Sequence, residues 1–364
     1  MEKYKIAIIG CGFAAGGAGS VNEIHMPSLS KMEDVELAAF CDLIEEKAVE
    51  ASRDYGAKDA KVYTDYKKLL NDDSIDIVHV CTPNRTHAEL TIHALEAGKH
   101  VLCEKPMAIK SADAVKMVEA SKRTGKKLSI GFQYRLRQDT FYLHKICRRG
   151  DLGEIYFAKA HALRRRAVPT WGVFLNEEEQ GGGPLIDIGA HALDMTLWTM
   201  DNYRPKSVMG STFHKLSQQT ETANFFGDWD PKDFTVEDSA FAFIKMENGA
   251  TIFLEASWAL NILDAAETKM TLCGTKAGAD MKDGVRINEA DLDQLVITQA
   301  LKSGGVDVFD NPPAEVPGAV YARMWIDCIR NDTEPVVPGE QALVVTQILE
   351  AVYESAKTGK AVYF

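Results

Sequence analysis

The chain has 364 residues, of which 46% are apolar and 26% charged, and its net charge is −12. That is more chain than one hydrophobic core usually organises, so two domains are expected, here 1–128 and 129–364. The negative balance argues against nucleic acid or an anionic membrane surface as partner, and no apolar run is long enough to span a bilayer. The seven cysteines are scattered, odd in number and never paired as CxxC. They read as reduced fillers at the ends of apolar runs, so no metal is expected. A strand pattern begins at once where a leader would stand, so a cytoplasmic protein is expected.

Four β-rich apolar runs open the chain, at 4–10, 35–42, 75–83 and 100–106. Helical patterns at 44–55, 65–71 and 86–97 separate the later ones, and a helix at 111–124 with a strand at 127–133 continues the series. Continuous apolar strands alternating with helices predict a parallel sheet covered on both faces. The turn after the first strand, GCGFAAGGAG, places Gly10, Gly12 and Ala15 in the G-x-G-x-x-G/A pattern around Phe13 and Ala14. Glycine there allows a tight turn and lets backbone N–H groups approach a pyrophosphate, so a dinucleotide is expected. Gly16, Gly17 and Gly19 lengthen the loop through residue 22, which predicts that the first helix starts late or carries an insertion.

The second run ends in Asp42, placed to accept hydrogen bonds from an adenosine ribose or to cap the next helix. Glu45 and Glu46 follow and no arginine is adjacent, so NAD is favoured over NADP. The third and fourth runs end in CTPNRTHAE and CEKP. Ligands of open α/β sheets lie beyond the carboxyl ends of the strands. That rim collects Thr82, Pro83, Asn84, His87, Glu104 and Lys105, with Lys105 expected to point toward the nicotinamide end of the crevice.

Beyond residue 130 the pattern becomes strand-rich, with runs at 154–163, 206–213, 236–246, 250–258 and 268–273. Asn248-Gly249 between alternating apolar runs predicts a hairpin, and the second domain reads as α+β with an antiparallel or mixed sheet. Gly181–Gly183 and Pro184 introduce a helical stretch on which Asp187 and His191 are an i,i+4 pair and Asp194 lies three residues further on. Such a carboxylate can fix an imidazole tautomer and leave the histidine able to titrate near neutrality, as a general base requires. The glycine run is read as allowing close backbone approach. In the segment 161–174, Arg164, Arg165 and Arg166 precede Trp171, whose indole can stack on a sugar face.

These motifs, in this order, resemble the family of glucose–fructose oxidoreductase and inositol dehydrogenase. The similarity spans nearly the whole chain through HMPSL, CTPNRTHAE, EAGKHVLCEKPMA, GGGPLIDIGAHALD and the tail PVVPGEQALVVTQILEAVYESAKTGK. The resemblance implies an N-terminal Rossmann domain followed by a domain on a large open sheet, often dimeric or tetrameric through that sheet. It implies that Lys105 contacts the reacting oxygen, that Asp187 and His191 bind substrate, that His191 relays the proton and that Lys105-Pro106 is cis. Tyr134 and Arg135 are expected as further substrate contacts. The activity so implied is reversible oxidation of a secondary alcohol of a sugar, glycoside or cyclitol by NAD. Two alternatives stand beside it: glycoside 3-oxidation with retained NAD serving glycosidic-bond cleavage, and a non-catalytic NAD-binding regulator.

Overall fold

The first apolar runs close into one parallel sheet of six strands in the order β3-β2-β1-β4-β5-β6. They are β1 (Tyr4–Ile9), β2 (Val35–Cys41), β3 (Lys61–Tyr63), β4 (Ile77–Val80), β5 (His100–Cys103) and β6 (Leu128–Ile130). Helices α1 (Met26–Leu29), α2 (Glu45–Tyr55), α3 (Tyr66–Leu70), α4 (His87–Glu96) and α5 (Ser111–Thr124) connect them. The strand order reverses beside β1, which makes the carboxyl ends of β1 and β4 the switch point of the sheet. Every residue of β4 and most of β1 are buried, as a sheet covered on both faces demands. The structure, a computed structural model, describes residues 3–17, 24–220, 223–300 and 317–364.

The chain divides into two units, Met1–Leu136 with Glu315–Leu343 and Arg137–Ala314 with Val344–Phe364. The first draws in a late segment through hydrogen bonds at the end of β6. The Tyr321 hydroxyl donates to the Ile130 carbonyl at 2.6 Å, and Ser129 Oγ donates to the Val337 carbonyl at 3.1 Å. Arg323 forks onto Asp34 at 2.8 and 2.9 Å.

The second unit is built on a nine-stranded sheet. It contains β7 (Ile155–Leu163), β8 (Pro205–Phe213), β9 (Ser239–Met246), β10 (Thr251–Ser257), β11 (Glu267–Gly274), β12 (Ala277–Asp280), β13 (Arg286–Asp291), β14 (Gln294–Gln299) and β15 (Val362–Tyr363). Their order is β14-β13-β12-β11-β7-β10-β9-β8-β15, antiparallel except for the parallel pair β7 and β10. The expected hairpin joins β9 to β10, with Lys245 opposite Thr251. Helices α6 (Gln138–Arg149), α7 (Glu177–Gln180) and α8 (Ala190–Met200) follow the first unit in sequence, and α9 (Pro317–Arg330) and α10 (Gly339–Thr358) complete the set.

One face of the large sheet is core. Ala158, Ala160, Ala162, Ile252, Leu254 and Ala256 alternate inward, and α8 lies against β7 and β11 with almost every residue buried. Small alanines on β7 let that helix approach closely. The other face carries Phe157, Phe243 and Phe253, whose rings touch edge-on or tilted at 5.2 and 5.5 Å.

Candidate active site

The glycine turn of the first unit separates two demands. Gly10 adopts φ +89°, and a Cβ there would lie 2.7 Å from the Cys81 carbonyl oxygen, so the turn itself requires glycine. Among the described residues, nothing lies within 4 Å of the place a Cβ would occupy on Gly12. The turn is therefore closed on the sheet side and open above Gly12, the arrangement a dinucleotide pyrophosphate needs. Phe13 and Ala14 form a 3-10 turn, Phe13–Ala15, with Phe13 40% exposed. Helix α1 starts only at Met26; the lengthened glycine loop from residue 18 lies outside the described residues.

Asp42 ties the end of β2 to this turn. Its Oδ2 accepts the Cys11 amide and its Oδ1 the Ile44 amide, each at 2.9 Å. Helix α2 begins at Glu45 with no side-chain cap, so Asp42 closes a local turn rather than capping the helix. The thiol of Cys11 beside it is pushed up to about 12 by burial and by the Asp42 charge, and is an inert filler.

On the next rim segment Thr82 Oγ1 accepts from the Thr86 hydroxyl at 2.7 Å, and Pro83 leads into a 3-10 turn, Asn84–Thr86, with Asn84 buried. His87 is fully buried, and its ring nitrogens face the Pro106 and Thr82 carbonyls, both at 2.8 Å. It braces the ends of β4 and β5 against each other, and as a neutral ring it donates to one of the two carbonyls. The Lys105-Pro106 bond is cis.

Glu104 is held by a chain of buried imidazoles. Its Oε1 lies 2.8 Å from His25 Nε2, and His25 Nδ1 lies 2.8 Å from His79 Nδ1. Its Oε2 accepts the Lys105 amide at 3.1 Å. With the carboxylate ionised, His25 donates from Nε2 and must accept at Nδ1, so His79 donates from Nδ1. Burial and the neighbouring His25 hold His79 well below the usual histidine range, which agrees with this neutral donor. The segment that carries Lys105 is thus anchored from HMPSL, about eighty residues earlier in the chain.

Tyr134 and Arg135 lie on a 3-10 turn, Gln133–Leu136. Tyr134 is half-buried, whereas Arg135 is fully buried and donates to the Val336 carbonyl at 2.8 Å and to Gln341 at 2.6 Å. Its guanidinium is turned into the first unit's own core, which speaks for a structural role in place of the expected substrate contact.

In the second unit, Asp187 and His191 stand on a helix that is not regular. Leu185–Gly189 is a π-turn, with the Ala190 amide reaching back to the Leu185 carbonyl, and α8 continues from it. π-turns re-aim the side chains at their ends and recur at functional sites. Asp187 Oδ2 accepts the indole N–H of the buried Trp258, the residue after β10, at 2.9 Å. His191 is 6% exposed and Asp194 fully buried.

The glycine run allows the expected close approach, and the structure shows what approaches. A Cβ on Gly182 would fall 1.9 Å from Tyr353 Oη, and one on Gly183 would fall 2.2 Å from the Glu237 carbonyl oxygen. The close approach is to the protein's own core. Trp171 is half-exposed and meets Phe226 and Phe174 edge-on at 4.7 and 5.7 Å, on the wall of an 810 Å³ cavity shared with Asn176, Glu177, Trp229 and Lys232. Arg164 forks onto Glu267 at 2.7 and 2.5 Å, and Arg166 donates to Asn261 at 2.6 Å.

Trp258, Glu237 and His79 lie outside the quoted motifs, whereas Tyr353 falls in the tail motif and His25 in HMPSL. Each is defined by a partner far along the chain, which the local sequence does not name.

The family described as "Oxidoreductase family, NAD-binding Rossmann fold" matches residues 4–132, and the "GFO/IDH/MocA C-terminal domain" matches residues 142–280. The chain belongs to the Gfo/Idh/MocA oxidoreductase family, and is an enzyme. It is 37% identical over 358 residues to the D-glucoside 3-dehydrogenase of Escherichia coli (strain K12), covering 98% of this chain and 97% of that one. It is 32% identical over 157 residues to the inositol 2-dehydrogenase of Salmonella typhimurium, covering 43% and 46% of the two chains. Among solved structures, the aldose-aldose oxidoreductase of Caulobacter crescentus complexed with glycerol superposes with a TM-score of 0.79 at 25% identity over both full chains.

Proposed function

We propose that this enzyme oxidises a secondary hydroxyl of a D-glucoside, at carbon 3, with NAD as the oxidant. The observation that carries the reading is the end-to-end similarity to a D-glucoside 3-dehydrogenase. Gly10, Gly12, Phe13, Ala14 and the rim Thr82, Pro83 and Asn84 hold the dinucleotide, and Asp42 receives the adenosine ribose. Glu45 and Glu46 after Asp42 oppose a 2′-phosphate, which favours NAD over NADP.

When bound, NAD supplies the hydride acceptor. Lys105 as an ammonium stabilises the oxygen as negative charge develops on it. His191 takes the hydroxyl proton, and Asp187, oriented by Trp258, accepts a hydrogen bond from the sugar and fixes its pose. The test is absorbance at 340 nm with NAD and a panel of glucosides, free sugars and cyclitols. Glucoside-dependent reduction, lost in Lys105→Ala with NAD binding intact, is expected. An unimpaired Lys105→Ala overturns the assignment.

A second reading keeps NAD bound: the 3-keto sugar acidifies its neighbouring C–H, which allows cleavage of the glycosidic bond before the ketone is reduced again. Release of aglycone without net absorbance change identifies that case. The apolar sheet face around Phe157, Phe243 and Phe253 is proposed as the contact of a homodimer or homotetramer.

A further inference from the structure

Glu237 is a buried carboxylate that the proposed chemistry does not use. It lies two residues before β9, and its side chain reaches the start of the segment that bears Asp187 and His191. Oε2 accepts the Gly183 amide at 2.8 Å, and Oε1 accepts the Leu185 amide at 3.1 Å and the Tyr353 hydroxyl at 2.9 Å. Pro184, between those amides, has no N–H to offer. Gly182 and Gly183 leave room for no side chain: a Cβ on either would meet Tyr353 Oη or the Glu237 backbone. The GGGP stretch, Glu237 and Tyr353 therefore form one fitted unit, in which a carboxylate takes up N–H groups left open at a helix start.

We propose that Glu237 is a positioning residue for the reaction: its ionised carboxylate, braced by Tyr353, docks the Gly183–Gly189 turn and so sets where Asp187 and His191 point. This rests on the reading of Asp187 and His191 as the substrate pair.

Burial raises the Glu237 carboxyl to about 7, against the hydrogen bonds from Gly183, Leu185 and Tyr353, which lower it. All three partners are donors, so the ionised form suits them and a proton on the carboxyl must displace one. The other charged or titratable groups around it are few. Asp238 is turned to the Leu216 and Ser217 amides, Asp187 to Trp258, and Glu177 on α7 bears on Tyr353. When the turn undocks, Glu237 stays buried and loses the donors that favour its charge, so docking weakens as pH falls through neutrality, whereas global unfolding, which exposes the carboxyl, has the opposite sign.

The test uses the full-length protein and two variants, Glu237→Gln and Tyr353→Phe. Amide exchange of the segment 183–190, corrected for intrinsic rates, is followed against pH, alongside kcat and KM with NAD and methyl D-glucopyranoside. In the wild type, protection of the segment and kcat should fall together on the acid side with one midpoint. Tyr353→Phe removes a donor that favours the charged form, so that midpoint moves up by about one pH unit, while the plateau at higher pH stays. Glu237→Gln should lose protection and kcat about tenfold across the range without the acid step, and leave KM for NAD unchanged. Protection that is independent of pH and of both variants overturns the proposal. So does a kcat unaffected by loss of protection. A wild type inert toward every glucoside refutes the sugar reading instead, and the exchange profile still decides whether Glu237 docks the turn.

Discussion

The indole of Trp258 donates to the carboxylate of Asp187 at 2.9 Å, from a tryptophan with no exposed surface. The carboxylate proposed to receive a sugar hydroxyl is thereby fixed by a donor that cannot swing away. Hydrogen bonds to charged groups are worth about 1.5–3 kcal/mol. Trp258→Phe keeps most of the packing and removes the donor. It should lower kcat/KM for the sugar about ten- to a hundredfold while leaving NAD affinity unchanged, as read by steady-state kinetics and NAD titration.

Gly10 and Gly12 should respond oppositely to alanine. Gly10→Ala places a Cβ 2.7 Å from Cys81 O at positive φ and should cost about 1–3 kcal/mol of stability. Gly12→Ala meets nothing among the described residues and should leave stability within about 0.5 kcal/mol. Its methyl occupies the space assigned to the pyrophosphate, so Kd for NAD should rise about tenfold or more. Denaturant unfolding and NAD titration of both variants check the contrast. A Gly12→Ala protein with unchanged NAD affinity removes the turn from the cofactor site.

Several histidines of the first unit are held neutral. Burial, with Lys126 and Lys127 nearby, lowers His100 to about 4, and burial lowers His79 and His87. The unfolded chain binds a proton at each near the ordinary value of 6.5. Their depressed pKa means that stability is fully present above that pH and falls as pH drops toward the folded value. Glu237, raised from 4.5 to about 7, acts in the opposite sense over part of that range. The comparison of His100→Asn with wild type isolates one term. The variant's urea midpoint should depend less steeply on pH between 6.5 and about 4. Parallel curves would show that His100 is not held neutral.

The aromatic sheet face gives a prediction about assembly. Phe243 and Phe253 are 44% and 42% exposed, on a sheet whose other face is covered by α8 at β7 and β11. A carboxylate placed there has water as its only acceptable neighbour. Phe253→Asp should leave the monomer folded and shift the mass in light scattering to that of one chain. A wild type already monomeric at micromolar concentration, or an unaltered mass in the variant, refutes this contact.

Where the determinants are local, the sequence announced them. The helix over 111–124 is observed as Ser111–Thr124, because its apolar spacing and the following Gly125 are contained in one stretch. The Asn248-Gly249 hairpin and the late start of α1 were legible for the same reason. The π-turn under Asp187 was not. It depends on Gly183, Glu237 and Tyr353 meeting across 54 and 116 residues, and glycine alone does not reveal what approaches it. Arg135 is a similar case, since a charged residue beside a strand end reads as exposed until Val336 and Gln341 supply its acceptors, more than two hundred residues on. The carboxylate of Asp42 was legible as a rim group, but its grip on the Cys11 amide, which joins two strands, was not.

The bonds between the end of β6 and the late segment impose an order on biosynthesis. Ser129 and Tyr321 are 192 residues apart, so a nascent chain exposes the edge of its first sheet until nearly all of the polypeptide has left the ribosome. The central parallel pair of the larger sheet must wait as well, because His161 and Glu255 lie 94 residues apart. Neither unit can mature early. Ribosome stalling or premature termination upstream of Pro317 should therefore yield fragments that depend on chaperones from both halves at once.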